Sequence, residues 1–166
     1  MKSILSLFLI SLLASCTHTY YVVRHAEKAT PSDGTVMNTP NDPPLSATGQ
    51  QRSQALKNVL SDKGIRHIYS TNTIRTRSTA QPLSELLNLN IQTYGPRPDT
   101  AFIQQLKQLR KNTLIVGHSN TIDDIANMLA GEQKVDGDLP ESVYDQLFII
   151  RYKNGGKKIE FSRVSY

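Results

Sequence analysis

The chain has one cysteine, Cys16, so no disulfide can form within a copy and the fold has to rest on an apolar core. Basic residues nowhere run together. The 19 Lys and Arg against 14 Asp and Glu give a net charge of +5, which favours an anionic partner, while their scatter argues against nucleic acid. His25 and His118 lack a third ligand at recognisable metal-binding spacing, so neither a metal nor another cofactor is expected. No internal repeat or low-complexity block is visible. A length of 166 residues allows one domain with a real core, but no second domain and no separate cap over a site.

One long apolar run is present. Ile4 to Leu13 is interrupted only by Ser6 and Ser11, follows Met1-Lys2, and leads through Ala14-Ser15 into Cys16. Residues 1–15 resemble a bacterial lipoprotein signal, which implies cleavage before Cys16 and lipidation of Cys16. Several acyl chains at about 0.8 kcal/mol per buried methylene would hold the product on a membrane. The expectation is an exported, membrane-anchored lipoprotein, periplasmic or outer-membrane associated, with residues 16–19 as a short tether and 20–166 as the domain. Thr17, where some sorted lipoproteins carry Asp, resembles the outer-membrane class.

Tyr20-Tyr21-Val22-Val23 is short, aromatic and β-branched, and reads as a buried strand that stops at Arg24-His25. A polar, Pro-rich segment from Ala29 to Pro44 follows and is expected to rim a pocket. Thr48-Gly49-Gln50-Gln51 has capping-box spacing ahead of a helix bearing Ala55, Leu56, Val59 and Leu60, stopped by Gly64. Residues 65–69 read as the second strand, then a helix carries Arg75 in its first turn, with Pro82 as a kink or restart. A short strand at 91–94, a helix from Ala101 to Arg110 and a strand at 113–116 come next. Gly117-His118-Ser119-Asn120 leads into a helix with Ile122, Ile125, Met128 and Leu129 inward. Residues 146–152 and 157–164 around Asn154-Gly155-Gly156 read as a hairpin. Alternating strands and helices predict an α/β protein, a three-layer α/β/α sandwich with a mainly parallel central sheet. Arg24-His25, Arg75 and His118 each follow a strand, so such a sheet would gather them on one rim.

Four pieces then stand in order: Arg24-His25-Ala26-Glu27-Lys28, Leu45-Ser46-Ala47-Thr48-Gly49, Tyr69-Ser70 with Arg75 and Thr79-Ala80, and Gly117-His118-Ser119-Asn120. In these the chain resembles the histidine phosphatase superfamily, the phosphoglycerate-mutase-like group. Ala26, where many members have Gly, is similar to the short bacterial phosphatases of that group. The resemblance implies that His25 is a nucleophile forming a phosphohistidine. Arg24 and Arg75 would grip the phosphoryl oxygens with His118, and Lys28 and Asn120 stand near enough to touch substrate. Two neighbouring guanidinium groups should also keep His25 neutral. The proton donor stays open: Asp99 stands in the segment where the family carries its acid but could equally cap the helix at Ala101, and Glu27 is the other choice. The expected activity is metal-independent hydrolysis of small phosphomonoesters. A phosphohistidine protein phosphatase and a non-catalytic phosphate-binding lipoprotein are the alternatives. No signal for an oligomeric state is present.

Overall fold

The computed structural model describes residues 17–31 and 41–166. The expected signal segment and the lipid attachment at Cys16 lie outside these residues. The described chain forms β1 (His18–Arg24), α1 (Ala47–Leu60), β2 (His67–Ser70), α2 (Ile74–Leu87), β3 (Ile91–Thr93), α3 (Thr100–Leu109), β4 (Thr113–Gly117), α4 (Ile122–Ala130), β5 (Gln146–Lys153) and β6 (Lys158–Ser165). All six strands join one sheet in the order β3-β2-β4-β1-β5-β6. β3, β2, β4 and β1 run parallel, and β5 and β6 continue the sheet antiparallel. This is the expected α/β architecture with a mostly parallel sheet.

β1 is buried along its whole length because helices cover both faces of the sheet, which is why its sequence shows a continuous apolar run. Alternate side chains serve opposite layers. Tyr20 and Val22 pack with Phe102 and Leu106 of α3 and Ile125 and Leu129 of α4. Tyr21 and Val23 pack with Leu56 and Leu60 of α1 and Leu83 of α2. Every element among the described residues, and both halves of this core, come from residues 18–166.

The chain leaves β1 through α1 toward β2 and leaves the adjacent β4 through α4 toward β5, on the opposite layer. The loops after β1 and β4 therefore part company at a switch point, where open α/β sheets form their ligand crevice.

Several boundaries differ from the sequence expectation. β1 begins at His18, taking two residues of the expected tether, because the His18 ring stacks on Tyr152 at 5.0 Å and meets Tyr20 edge-on at 5.3 Å. β2 begins at His67 rather than Ile65. The α1 cap is Ser46, whose hydroxyl accepts from the Gly49 amide, so Thr48 lies inside the helix. α2 runs through Pro82 as one helix; Ala80 and Leu83, on either side of it, are both buried against the sheet.

Gly49 joins the first turn of α1 to the segment after β1. A Cβ there would stand 2.2 Å from the Glu27 carbonyl oxygen. Gly49→Ala is therefore expected to cost roughly 1–3 kcal/mol, an overpacking penalty. Thermal denaturation should show the midpoint several degrees lower.

Candidate active site

A cavity of about 340 Å³ opens at the carboxyl ends of β1 and β4, lined by Arg24, His25, Lys28, Arg75, Pro96, His118, Ser119, Asn120 and Glu141. Residues from five separate stretches meet there, and the sheet register brings those after β1, β2 and β4 level. Arg24 pairs with Gly117 across β1 and β4, and Ser70 pairs with Val116 across β2 and β4, so His25, Thr71 and His118 each take the next step beyond the sheet. The His25 amide donates to the Gly117 carbonyl at 2.9 Å, and the Ala26 amide donates to Thr79 Oγ1 of α2 at 2.9 Å. Gly117 has no room for a side chain: a Cβ would lie 2.7 Å from the Tyr94 hydroxyl.

His25 is 4% exposed, and its Nδ1 lies 2.8 Å from the Ala26 carbonyl oxygen. A carbonyl can only accept, so Nδ1 carries the proton and Nε2 keeps its lone pair. Burial, followed by the Arg75, Arg24 and His118 charges, outweighs that carbonyl and lowers the His25 pKa to about 3. His118 Nε2 lies 2.9 Å from Thr71 Oγ1. Thr71 donates onward to Thr76 Oγ1, which donates to the Thr71 and Thr73 carbonyls. The hydroxyl chain makes Thr71 an acceptor for His118, so the His118 proton sits on Nε2 and the Nδ1 lone pair faces Arg75 Nη2 at 3.5 Å. Burial first, then Arg75 and Arg24, lower the His118 pKa to about 4.

The two arginines are held differently. Arg75 pairs with Asp42 at 3.0 Å, and the same carboxylate accepts from the Ile74 amide at the start of α2. Arg24 is buried. Its Nη1 donates to the carbonyls of Pro140, Glu141 and Val143, its Nη2 meets the Glu141 carboxylate at 3.1 Å, and its guanidinium lies 4.1 Å from the centre of the Tyr144 ring. Among the described residues its buried Nε has no hydrogen-bond partner. A buried donor without a partner is costly, and here it belongs to a cation lining a cavity beside two neutral imidazoles. The arrangement suits a tetrahedral oxyanion.

Residues 20–95 match the family described as histidine phosphatase superfamily (branch 1). Over that segment, a little under half of the chain, the sequence is similar to the histidine phosphatase superfamily. No curated protein sequence matches it. Among solved structures, SixA from Agrobacterium tumefaciens, assigned as a phosphohistidine phosphatase, is 18% identical, with 89% of this chain and 98% of that one covered and a TM-score of 0.64. A protein histidine phosphatase SixA complexed with tungstate is 17% identical over 89% and 96%, TM-score 0.66. The mycobacterial glucosyl-3-phosphoglycerate phosphatase Rv2419c with inorganic phosphate is 12% identical over 90% and 96%, TM-score 0.63. At these identities the likeness is one of fold.

Within this fold, His25, Arg24, Arg75, His118, Lys28 and Asn120 all line the one cavity. Asp99 does not. It caps α3, accepting from the Phe102 amide at 2.7 Å, and lines a different recess with Tyr69 and Phe102. Of the two readings left open for it, the structure has the cap. Glu27 is also turned away, forked onto Arg52 at 2.7 to 2.9 Å. Burial raises the Glu27 pKa, and the Arg52 hydrogen bonds override that and hold it low.

Sequence reasoning missed Glu141, Asp42, Thr71 and Tyr144 as site residues. Asp42 falls in the polar segment from Ala29 to Pro44 expected to rim the pocket, and Glu141 in the stretch ahead of β5, but nothing local distinguishes either from neighbouring acids. Glu141 is the carboxylate lining the cavity among the described residues, and the Arg24 charge holds its pKa low. No group of three His, Cys, Asp or Glu side chains clusters as metal ligands do among the described residues. A larger groove of about 650 Å³ between α1 and α2 offers the amides of Gln50, Gln51, Gln54 and Gln81 but no cation.

The lowered imidazole pKa values fix an acid-side dependence. In the unfolded chain both histidines protonate near 6.5, whereas the folded sites resist until about 4 and 3. The stability conferred by burying them neutral is complete above pH 6.5 and is lost as pH falls from there toward 4. Melting temperatures should decline across that window, and NMR titration of the His25 and His118 ring protons should show no midpoint near 6.5.

Proposed function

We propose that this protein is a phosphatase that moves the phosphoryl group of a phosphomonoester first to His25 and then to water. The observation that carries this reading is the neutral His25 with its free Nε2 lone pair, set among Arg24, Arg75 and His118 around one small cavity. Nε2 attacks phosphorus while the ester P–O bond breaks and its electron pair leaves on the alcohol oxygen, which takes a proton from solvent. A water then attacks phosphorus, the P–N bond breaks, its electron pair returns to Nε2, and inorganic phosphate departs. The Arg24 edge with the unpartnered Nε and the Arg75 guanidinium balance charge on the transferring group. A bound dianion also favours protonation of His118, which would turn its Nδ1 into a donor.

Glu141 is ionised at neutral pH, so it suits the second step, taking the proton of the attacking water, better than protonating a leaving group. With Asp99 capping α3, a site of this kind favours substrates whose leaving group departs without a strong acid. That feature also supports a second reading in which the substrate is a phosphohistidine on a protein.

Incubation with a labelled aryl phosphate and rapid acid or alkaline quench should trap alkali-stable, acid-labile label in the wild type and none in His25→Ala, which should lose turnover. Glu141→Gln should accumulate that label, with turnover down about a hundredfold or more and inorganic phosphate bound more tightly. Phosphate bound tightly with no label and no turnover would mark a capture protein instead.

We further propose that the protein is exported and lipid-anchored through Cys16, a reading supported by the charged start, the apolar run and the Leu-Ala-Ser-Cys pattern of residues 13–16. Among the described residues no helix is long and apolar enough to cross a membrane. Cells fed labelled palmitate should incorporate it into the wild type and not into Cys16→Ser; equal labelling would reject the anchor.

A further inference from the structure

The end of the sheet opposite the active site carries a second basic recess. Thr17, His18, Gly64, Arg66, Arg110, Lys111 and Asn112 line a cavity of about 280 Å³ at the amino-terminal ends of β1 and β4. The length of β1, roughly 20 Å at about 3.3 Å per residue, separates it from His25.

This recess is built rather than incidental. The Asn112 side chain accepts from the Thr19 amide at 2.9 Å and donates to the Lys63 carbonyl at 2.7 Å, while the Asn112 carbonyl accepts from the Arg66 amide at 2.8 Å. The start of β1, the α1–β2 loop and the α3–β4 loop are thereby tied together. Among the described residues no ion pair joins Arg66, Arg110 or Lys111 to an acid. Beneath them His18 is 4% exposed, and among the described residues neither of its ring nitrogens has a hydrogen-bond partner. Burial and the Arg110 charge lower its pKa, which leaves a neutral ring with one N–H to donate.

The surroundings extend the charge. His18 pairs with Tyr152 across β1 and β5, so the β5–β6 hairpin with Lys153, Lys157 and Lys158 stands at the same end. Glu160 beside it is bound to two of those lysines, and Asp62 near the recess is bound to Lys63. Thr17 is exposed at the rim, so the polypeptide enters the domain here, one residue after Cys16. A cationic recess with a buried donor suits a phosphate group, and a basic surface beside the proposed lipid attachment at Cys16 suits the bilayer that phosphate belongs to.

We propose that this end of the protein docks on a membrane surface of anionic phospholipids, with one headgroup phosphate seated in the recess formed by His18, Arg66, Arg110 and Lys111. The active site then opens away from the bilayer. The docking is electrostatic, adds a second signal to a lipid anchor, and does not depend on the catalytic reading.

The test uses the chain from Thr17 onward, which holds every element of the fold. It is sedimented with vesicles of phosphatidylcholine alone and of phosphatidylcholine mixed with phosphatidylglycerol. Binding to the mixed vesicles should be at least about tenfold stronger at low salt and should fall away at high salt. The combined substitutions Arg66→Glu, Arg110→Glu and Lys111→Glu should remove the preference while the melting temperature and aryl-phosphate hydrolysis stay unchanged. If charge reversal prevents folding, the glutamine versions at the same positions make the same comparison. Equal binding to both vesicles, or a preference that survives the substitutions, overturns the proposal. So does inorganic phosphate shifting the His18 NMR signals with no vesicle preference, which would mark a free-anion site.

Discussion

The parallel ladder between β1 and β4 is the constraint on which the active site depends. Because Arg24 sits opposite Gly117, the residues that follow them are held side by side by backbone hydrogen bonds, and the His25 amide extends that ladder by one further bond. A one-residue slip would turn both strands' side chains to the other layers and separate the two imidazoles. The burial of alternate tyrosines and valines on both faces of β1 makes such a slip costly. The geometry of the rim that carries His25 and His118 is thus secured by the interior several residues below it.

Burial then sets the chemistry. The surroundings that bring Arg24, Arg75, His25 and His118 together also remove them from water, and the two imidazoles respond by staying neutral. Arg24 cannot give up its charge, so it is surrounded by carbonyls of residues 140–143, the Glu141 carboxylate and the Tyr144 ring. Arg24 therefore does more than the fork onto phosphate that sequence resemblance suggests: it also holds the segment before β5 in place. That segment in turn brings Glu141 into the cavity. A substrate anion would compete with Glu141 for Arg24, which links binding to the release of that carboxylate.

The molecule is electrically two-ended. Both ends of the sheet are basic, but at the active-site end Asp42 and Glu141 reach Arg75, Arg24 and Lys28, while at the other end Arg66, Arg110 and Lys111 have no acid within ion-pair distance among the described residues. The scattered excess of Lys and Arg in the sequence becomes directional because β–α–β winding delivers helix ends and strand starts to one side of the sheet. At the first end the cations are already paired with acids; at the second the described residues leave them without one.

Much of the architecture was legible in the residue order. The aliphatic run at 113–116, the Asn-Gly-Gly turn and the amphipathic helices follow from local periodicity, and the positions of His25, Arg75 and His118 after strands follow from that alternation. Boundaries moved where a side chain found a distant partner, as His18 did on Tyr152 and Tyr20. The sequence by itself determined which groups were available for phosphoryl chemistry, since those residue types and their order along the chain are local facts. Which carboxylates stand near them was decided by tertiary structure alone. Asp99 went to a helix cap and Glu27 to Arg52, whereas Glu141, more than a hundred residues along the chain from Arg24, was carried in by the carbonyls that Arg24 binds. Long-range contacts of this kind depend on loop paths and buried hydrogen bonding, which leave no periodic trace in a single sequence.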